Sequence, residues 1–134
     1  MNQAEFEVLV VDDEKNICEL LKQALEQVGC RVHTACDGQT ALDCASKTSL
    51  DAVFLDIKMP GMNGVEVLKT LRRTQPDACF VMITGYATSD LVDESLSSGA
   101  FVCLSKPFGI VQVLDVIKTL RDEKDSIEVA VAHS

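Results

Sequence analysis

The sequence predicts an α/β domain in which a five-stranded parallel sheet carries helices on both faces. Two observations predict it. Five short apolar runs recur along the 134 residues, and each is followed by a stretch with helical spacing. Alternation of strand and helix calls for parallel strands joined by crossover helices. Four of the runs are apolar throughout, as strands covered on both sides should be. The length fits one domain, since domains commonly hold roughly 100–200 residues, and 47% hydrophobic residues can fill its core. A folded chain of this size removes roughly 70% of its surface from water.

The first run, EVLVV (7–11), leads into Ile17, Leu20, Leu21, Ala24, Leu25 and Val28, a stripe at helical spacing that Gly29 ends. RVHTA (31–35) alternates polar and apolar residues and reads as an edge strand. Asp37 then supplies an N-cap for a helix carrying Ala41, Leu42 and Ala45. After AVFL (52–55), Val65, Leu68 and Leu71 follow Asn63-Gly64 and continue to Pro76. CFVMI (79–83) precedes a weaker stripe of Leu91, Val92, Ser95 and Leu96, closed by Gly99. FVCL (101–104) precedes the best amphipathic segment, Ile110, Val113, Leu114, Ile117 and Leu120. Beyond Glu123 the helical period fades, so the expected division is a domain over 1–124 and a tail or linker stub over 125–134.

Composition narrows the function classes. A formal net charge of -9 argues against direct binding to nucleic acid or an anionic membrane, which needs clustered Lys and Arg. It suits a divalent cation, or solubility alone. The six cysteines, Cys18, Cys30, Cys36, Cys44, Cys79 and Cys103, form no CxxC pair, and the histidines are His33 and His133 alone. Free thiols are therefore expected, several of them acting as small core hydrophobes. The acidic N-terminus is followed by no long apolar run, so neither a signal peptide nor a membrane span is expected, and the reading is cytoplasmic.

In an open parallel sheet, ligands bind beyond the carboxyl ends of the strands. The residues leaving those ends are Asp12, Asp13 and Glu14 from the first strand, Asp56 from the third, Thr84 from the fourth and Lys106 from the fifth. Alone, an Asp-Asp pair after a strand is usually a turn or a helix cap. A lone Thr or Lys there usually means nothing. Jointly they place several carboxylates, a hydroxyl and an ammonium on one rim, with Asp56 delivered by its strand to a site rather than buried within it. Adjacent carboxylates repel one another, and a hard cation such as Mg²⁺ (or Mn²⁺) with oxygen ligands removes the conflict. Lys106 adds a fixed positive charge suited to a phosphoryl group, Thr84 can donate to its oxygens, and a carboxylate is the natural nucleophile.

The segments VLVVDDE, LDIKMPGMNG, MITGYA and SKPF resemble, in order and spacing, the signatures of receiver domains from two-component response regulators, over about residues 6–121. The resemblance implies a flavodoxin-like doubly wound sheet of strand order 2-1-3-4-5, an order taken from the family and not from the residues. It implies that Asp56 is the phosphoacceptor, receiving its phosphoryl group from a histidine kinase or histidine phosphotransfer protein. Asp12 and Asp13 would hold Mg²⁺ with Asp56 and the backbone carbonyl of Lys58. Thr84 and Lys106 would grip the phosphoryl oxygens, and the Lys106-Pro107 peptide would be cis. Lys58 and Tyr86 occupy positions that tune hydrolysis of the acyl phosphate. Phosphorylation would switch partner binding through the face built by the fourth helix, fifth strand and fifth helix. One departure bears on that switch: Cys103 stands where many receivers carry an aromatic, and Phe101 lies two residues earlier.

Rival readings fare less well. A haloacid dehalogenase-type phosphohydrolase wants a second acid two residues after its aspartyl nucleophile, where this chain has Lys58. A flavodoxin needs a phosphate-binding loop after the first strand, and DDEKN would repel phosphate. A receiver that serves only as a phosphorylation-independent interaction module is the main alternative. The output, whether a separate protein or a fused domain, is not named by these residues. Dimerisation through the fifth strand and fifth helix is a further expectation.

Overall fold

The computed structural model describes residues 5–85 and 88–132, with the backbone alone for Met62 and for residues 125–132. Along the chain run β1 (Phe6–Val11), α1 (Lys15–Gln27), β2 (Cys30–Ala35), α2 (Gly38–Ala45), β3 (Ala52–Asp56), β4 (Lys58–Met59), β5 (Met62–Asn63), α3 (Gly64–Thr74), β6 (Cys79–Thr84), α4 (Ser89–Ser97), β7 (Val102–Ser105) and α5 (Ile110–Ala132). Five of the strands form one parallel sheet ordered β2-β1-β3-β6-β7, while β4 and β5 pair separately as a two-residue antiparallel ladder. With that ladder set aside, the order is the expected 2-1-3-4-5, and RVHTA lies at the edge.

Because side chains alternate faces along a strand, the sheet sorts its apolar residues into two cores. Leu9, Val11, Val53, Leu55, Phe80 and Met82 pack with Ala41 and Ala45 of α2 and with Leu68 and Leu71 of α3. Val8, Val10, Phe54, Val81 and Ile83 pack with Cys18, Leu21 and Leu25 of α1 and with Val113, Ile117 and Leu120 of α5. Each large side chain buried in this way contributes about 1.5–3 kcal/mol, which is why the register cannot slip. Asp37 caps α2 through the Thr40 amide at 2.8 Å, and Asn63 caps α3 through the Val65 amide at 2.9 Å.

Some stripe residues lie outside the core. Leu20, Val28 and Leu96 are 45%, 40% and 44% exposed. The buried face of α1 is centred on Cys18, Leu21 and Leu25, and position 20 lies about 100° around the helix from Leu21. In α4 the one buried residue is Ser95, so this helix is held more weakly than the others. The backbone of α5 continues to Ala132, past the position where helical period fades in the sequence. Residues 110–132 contain neither Gly nor Pro, so nothing there breaks the helix. All six cysteines are free; Cys18 and Cys30 are buried and Cys36 is exposed. Among the described residues, no helix is long and apolar enough to cross a membrane.

Candidate functional site

The carboxyl ends of β1, β3, β6 and β7 bring the rim residues together. Pairing continues one residue past β1, where the Asp12 amide donates to Ala35 O at 3.1 Å. That bond draws Asp12 inward until its side chain is fully buried. Its Oδ1 accepts from the Glu14 amide at 2.9 Å, and its carbonyl accepts from Cys18 Sγ at 3.3 Å. Asp13 is exposed, yet one of its carboxylate oxygens lies within 4.8 Å of those of Asp12 and Asp56. Asp56 is the last residue of β3 and is 3% exposed. The strand therefore delivers it to the rim, as expected, but the carboxylate is buried there and not open to solvent. Its Oδ1 accepts from the Lys58 amide at 3.1 Å.

Thr84 ends β6 with its side chain buried, and its carbonyl accepts from the Lys106 amide at 2.7 Å. This bond sets Lys106, just past β7, over the acids. Its Nζ donates to Glu14 Oε1 at 2.9 Å and to Asp56 Oδ2 at 3.1 Å. Asp12 Oδ2 also lies 2.9 Å from that nitrogen, close enough for an ion pair. The approach is off the hydrogen-bond direction, so this buried oxygen has no directed partner. The Lys106-Pro107 peptide is cis.

The electrostatics follow from this packing. Burial raises the Asp12 carboxyl; the Glu14 amide and Lys106 pull it down, Asp56 pushes it up again, and the net shift is upward. Burial alone would lower Lys106, but its contacts with Glu14, Asp12 and Asp56 outweigh that and hold it above the ordinary lysine range. Asp12, Asp13 and Asp56 each offer an oxygen, all within 4.8 Å of one another. With Glu14, four carboxylates gather on this rim, and three of them, Asp12, Glu14 and Asp56, lie against the Lys106 ammonium. That excess, together with the buried Asp12 oxygen lacking a directed donor, fits a hard divalent cation bound through oxygen.

Side-chain contacts bring Asp12, Glu14, Asp56 and Lys106 together with Asp13 close by, and Thr84 joins them through the backbone bond to Lys106. Of the other candidates, Lys58 meets Asp56 through its amide. Cys103 sits in β7, partly buried, packed against the same core as Leu91 of α4. Burial raises its thiol. Phe101 is 43% exposed and Pro107 is exposed. Tyr86 lies outside the described residues. What the sequence reading lacked was a role for Glu14 beyond membership of the rim, and the packing of Gly64 against Asp56 and Ile57. An added Cβ at Gly64 would meet the backbone of both. The Asn-Gly pair carried a signal, but only for a turn.

The family model of the response regulator receiver domain matches residues 8–130. The chain belongs to that family. It is 35% identical over 111 residues to sporulation initiation phosphotransferase F of Bacillus subtilis, covering 83% of this chain and 90% of that one. To the regulatory protein AtoC of Escherichia coli it is 36% identical, covering 77% of this chain but 22% of AtoC. A receiver domain protein of Methanospirillum hungatei superposes with a TM-score of 0.87 at 31% identity, covering 92% of this chain and 98% of that one. A Burkholderia pseudomallei response regulator, solved with a phosphorylated aspartic acid and a calcium ion, gives 0.81 at 27% identity, with 92% and 73% covered. This receiver is thus a signalling domain of two-component systems, not an enzyme in the ordinary sense.

Proposed function

We propose that this receiver takes a phosphoryl group onto Asp56 from the phosphohistidine of a histidine kinase or histidine phosphotransfer protein. The observation that carries the reading is the Lys106 ammonium held between Asp12 and the nearly buried Asp56 within a cluster of acids. An Asp56 oxygen attacks phosphorus, the phosphorus–nitrogen bond breaks, and the imidazole leaves with the electron pair and takes up a proton. Catalysis of such a transfer is mostly positioning and electrostatics. The Lys58 amide and Lys106 fix the plane of the Asp56 carboxylate. In this reading Lys106 and Thr84 hold the phosphoryl oxygens. Mg²⁺, or Mn²⁺ in its place, bound by Asp12, Asp13, Asp56 and the Lys58 carbonyl, would supply the positive charge that offsets the acids and the phosphoryl group. The phosphorylated aspartic acid and calcium ion of the Burkholderia pseudomallei protein support this reading.

Phosphorylation adds about -1.5 to -2 charges at pH 7. Thr84 turning toward that charge shifts the balance between two packings of the weakly held α4. The face of α4, β7 and α5 then changes its affinity for a partner, with Leu96, Phe101 and Val111 as exposed apolar contacts. Cys103 replaces the usual aromatic in β7, so transmission rests on Thr84 and α4. Tyr86 and Lys58 set the rate at which the acyl phosphate hydrolyses. The phosphoaccepting unit is residues 1–124, it works in the cytoplasm, and its output is a protein contact or a fused domain, without direct nucleic-acid binding by this chain. Acetyl phosphate with Mg²⁺ should add one phosphoryl group to the intact mass of wild type and none to Asp56→Asn. No gain with any donor would leave a phosphorylation-independent interaction module.

A further inference from the structure

Lys106 spends one of its hydrogen bonds on a residue outside the acidic trio. Its ammonium has three N–H donors, and one points at Glu14 Oε1, 2.9 Å away. The three carboxylates around it differ in what losing the lysine would cost them. The side chains of Asp12 and Asp56 are 0% and 5% exposed, whereas that of Glu14 is 59% exposed. A buried carboxylate stripped of its cation is left unpaired, but an exposed one returns to water at little cost. Glu14 is therefore the contact that yields when a new anion appears. Nor is its side chain needed elsewhere, since it makes no cap bond to α1 although it stands at the N-cap.

We infer that Glu14 is a positioning residue that holds Lys106 in the resting state and competes with the phosphoryl group for it. The inference rests on the phosphoacceptor reading above. In the resting protein the Glu14 carboxylate occupies a Lys106 donor; when a phosphoryl group sits on Asp56, its oxygens take that donor and Glu14 swings out to solvent. The third acid of VDDE thus sets the threshold for phosphorylation, while Asp12, Asp13 and Asp56 form the cation pocket. No bond other than hydrogen bonds changes in this exchange.

The test is the affinity for beryllofluoride with Mg²⁺, read by ¹⁹F NMR of the bound fluorides, in wild type, Glu14→Ala and Glu14→Asp. Aspartate keeps the charge but is one methylene too short to keep the present contact with Lys106. Exposed ion pairs of this kind correspond to roughly a two- to fivefold change in an equilibrium, so both variants should bind beryllofluoride roughly two- to fivefold more tightly than wild type. Unchanged or weaker binding in both overturns the inference. Tighter binding by Glu14→Ala with Glu14→Asp like wild type also overturns it, because the effect is then general repulsion by charge. Without Mg²⁺ or beryllofluoride, the Lys106 ammonium resonance should shift alike in both variants, and an unshifted resonance removes the contact itself. Failure of wild type to bind beryllofluoride at all would sink the phosphoacceptor reading instead, so the two failures are distinct.

Discussion

Gly64→Ala places the most demanding load on the packing behind Asp56. A Cβ there would stand 2.6 Å from both Ile57 Cα and Ile57 O, and in contact with the carbonyl oxygen of Asp56. These are backbone atoms and cannot swing aside. Ordinary contact begins at 3.4 Å, so the start of α3 must retreat by at least about 0.8 Å. Overpacking of this kind costs about 1–3 kcal/mol. The retreat would also stretch the 2.8 Å bond from the Gly64 amide to Ile57 O, adding about 1 kcal/mol. The better helix propensity of Ala returns at most about 1 kcal/mol, leaving a net loss of about 1–3 kcal/mol. Urea unfolding followed by far-UV circular dichroism measures this directly. Because the shift reaches the backbone of Asp56, beryllofluoride affinity should also fall tenfold or more. Gly109→Ala, where nothing lies within 4 Å of the added carbon, serves as the control and should stay within about 0.5 kcal/mol of wild type. An unchanged urea midpoint with unchanged beryllofluoride binding in Gly64→Ala would refute the reasoning.

Alkylation with iodoacetamide at pH 8 should modify exposed Cys36 first, whereas burial pushes the Cys18 thiol up to about 11, leaving about one molecule in a thousand as thiolate; equal rates at the two sites would contradict this. The Thr40 amide holds the Asp37 carboxyl below its ordinary value of 3.8. Its folded value is depressed, so the stability it contributes is present above that ordinary value and is lost as pH falls through the folded one. Carboxyl ¹³C NMR should titrate Asp37 below 3.8, and a midpoint at or above it would remove the cap. Gln75→Ala should cost about 1–3 kcal/mol and speed amide exchange at Leu50, because Gln75 accepts from the Leu50 amide at 3.0 Å and donates to Ala45 O and Thr48 O at 2.7 Å each. Normal exchange at Leu50 would show the clamp to be idle. Sedimentation with and without beryllofluoride should show association through β7 and α5 in the activated state, and a monomer in both states would count against it.

What the sequence disclosed is what is local. A carboxylate ending an apolar run, as Asp56 does, is legible because strand and site meet at one residue. Four of the five sheet strands were readable as continuous apolar runs, and β2 by the alternation that marks an edge. The β4–β5 ladder was not, since two-residue strands carry no period. Leu20 misled because helical spacing alone does not fix where the buried face is centred, and the small thiol of Cys18 marked that centre more accurately than the larger leucine. The helical backbone of residues 125–132 was missed for a related reason. Loss of amphipathic period removes the signal of a packed face without removing the helix. The contact between Lys106 and Glu14 spans 92 residues, and nothing in local pattern announces a pairing that only the strand order creates.

Borohydride reduction after treatment with acetyl phosphate and Mg²⁺ tests the role of Asp56 most directly, because it converts an aspartyl phosphate into homoserine at the modified position. Peptide mapping should place that homoserine at position 56 alone, and chelation of the metal beforehand should abolish it. Homoserine at Asp12 or Asp13, or none at any position while the fold is intact, would contradict the assignment.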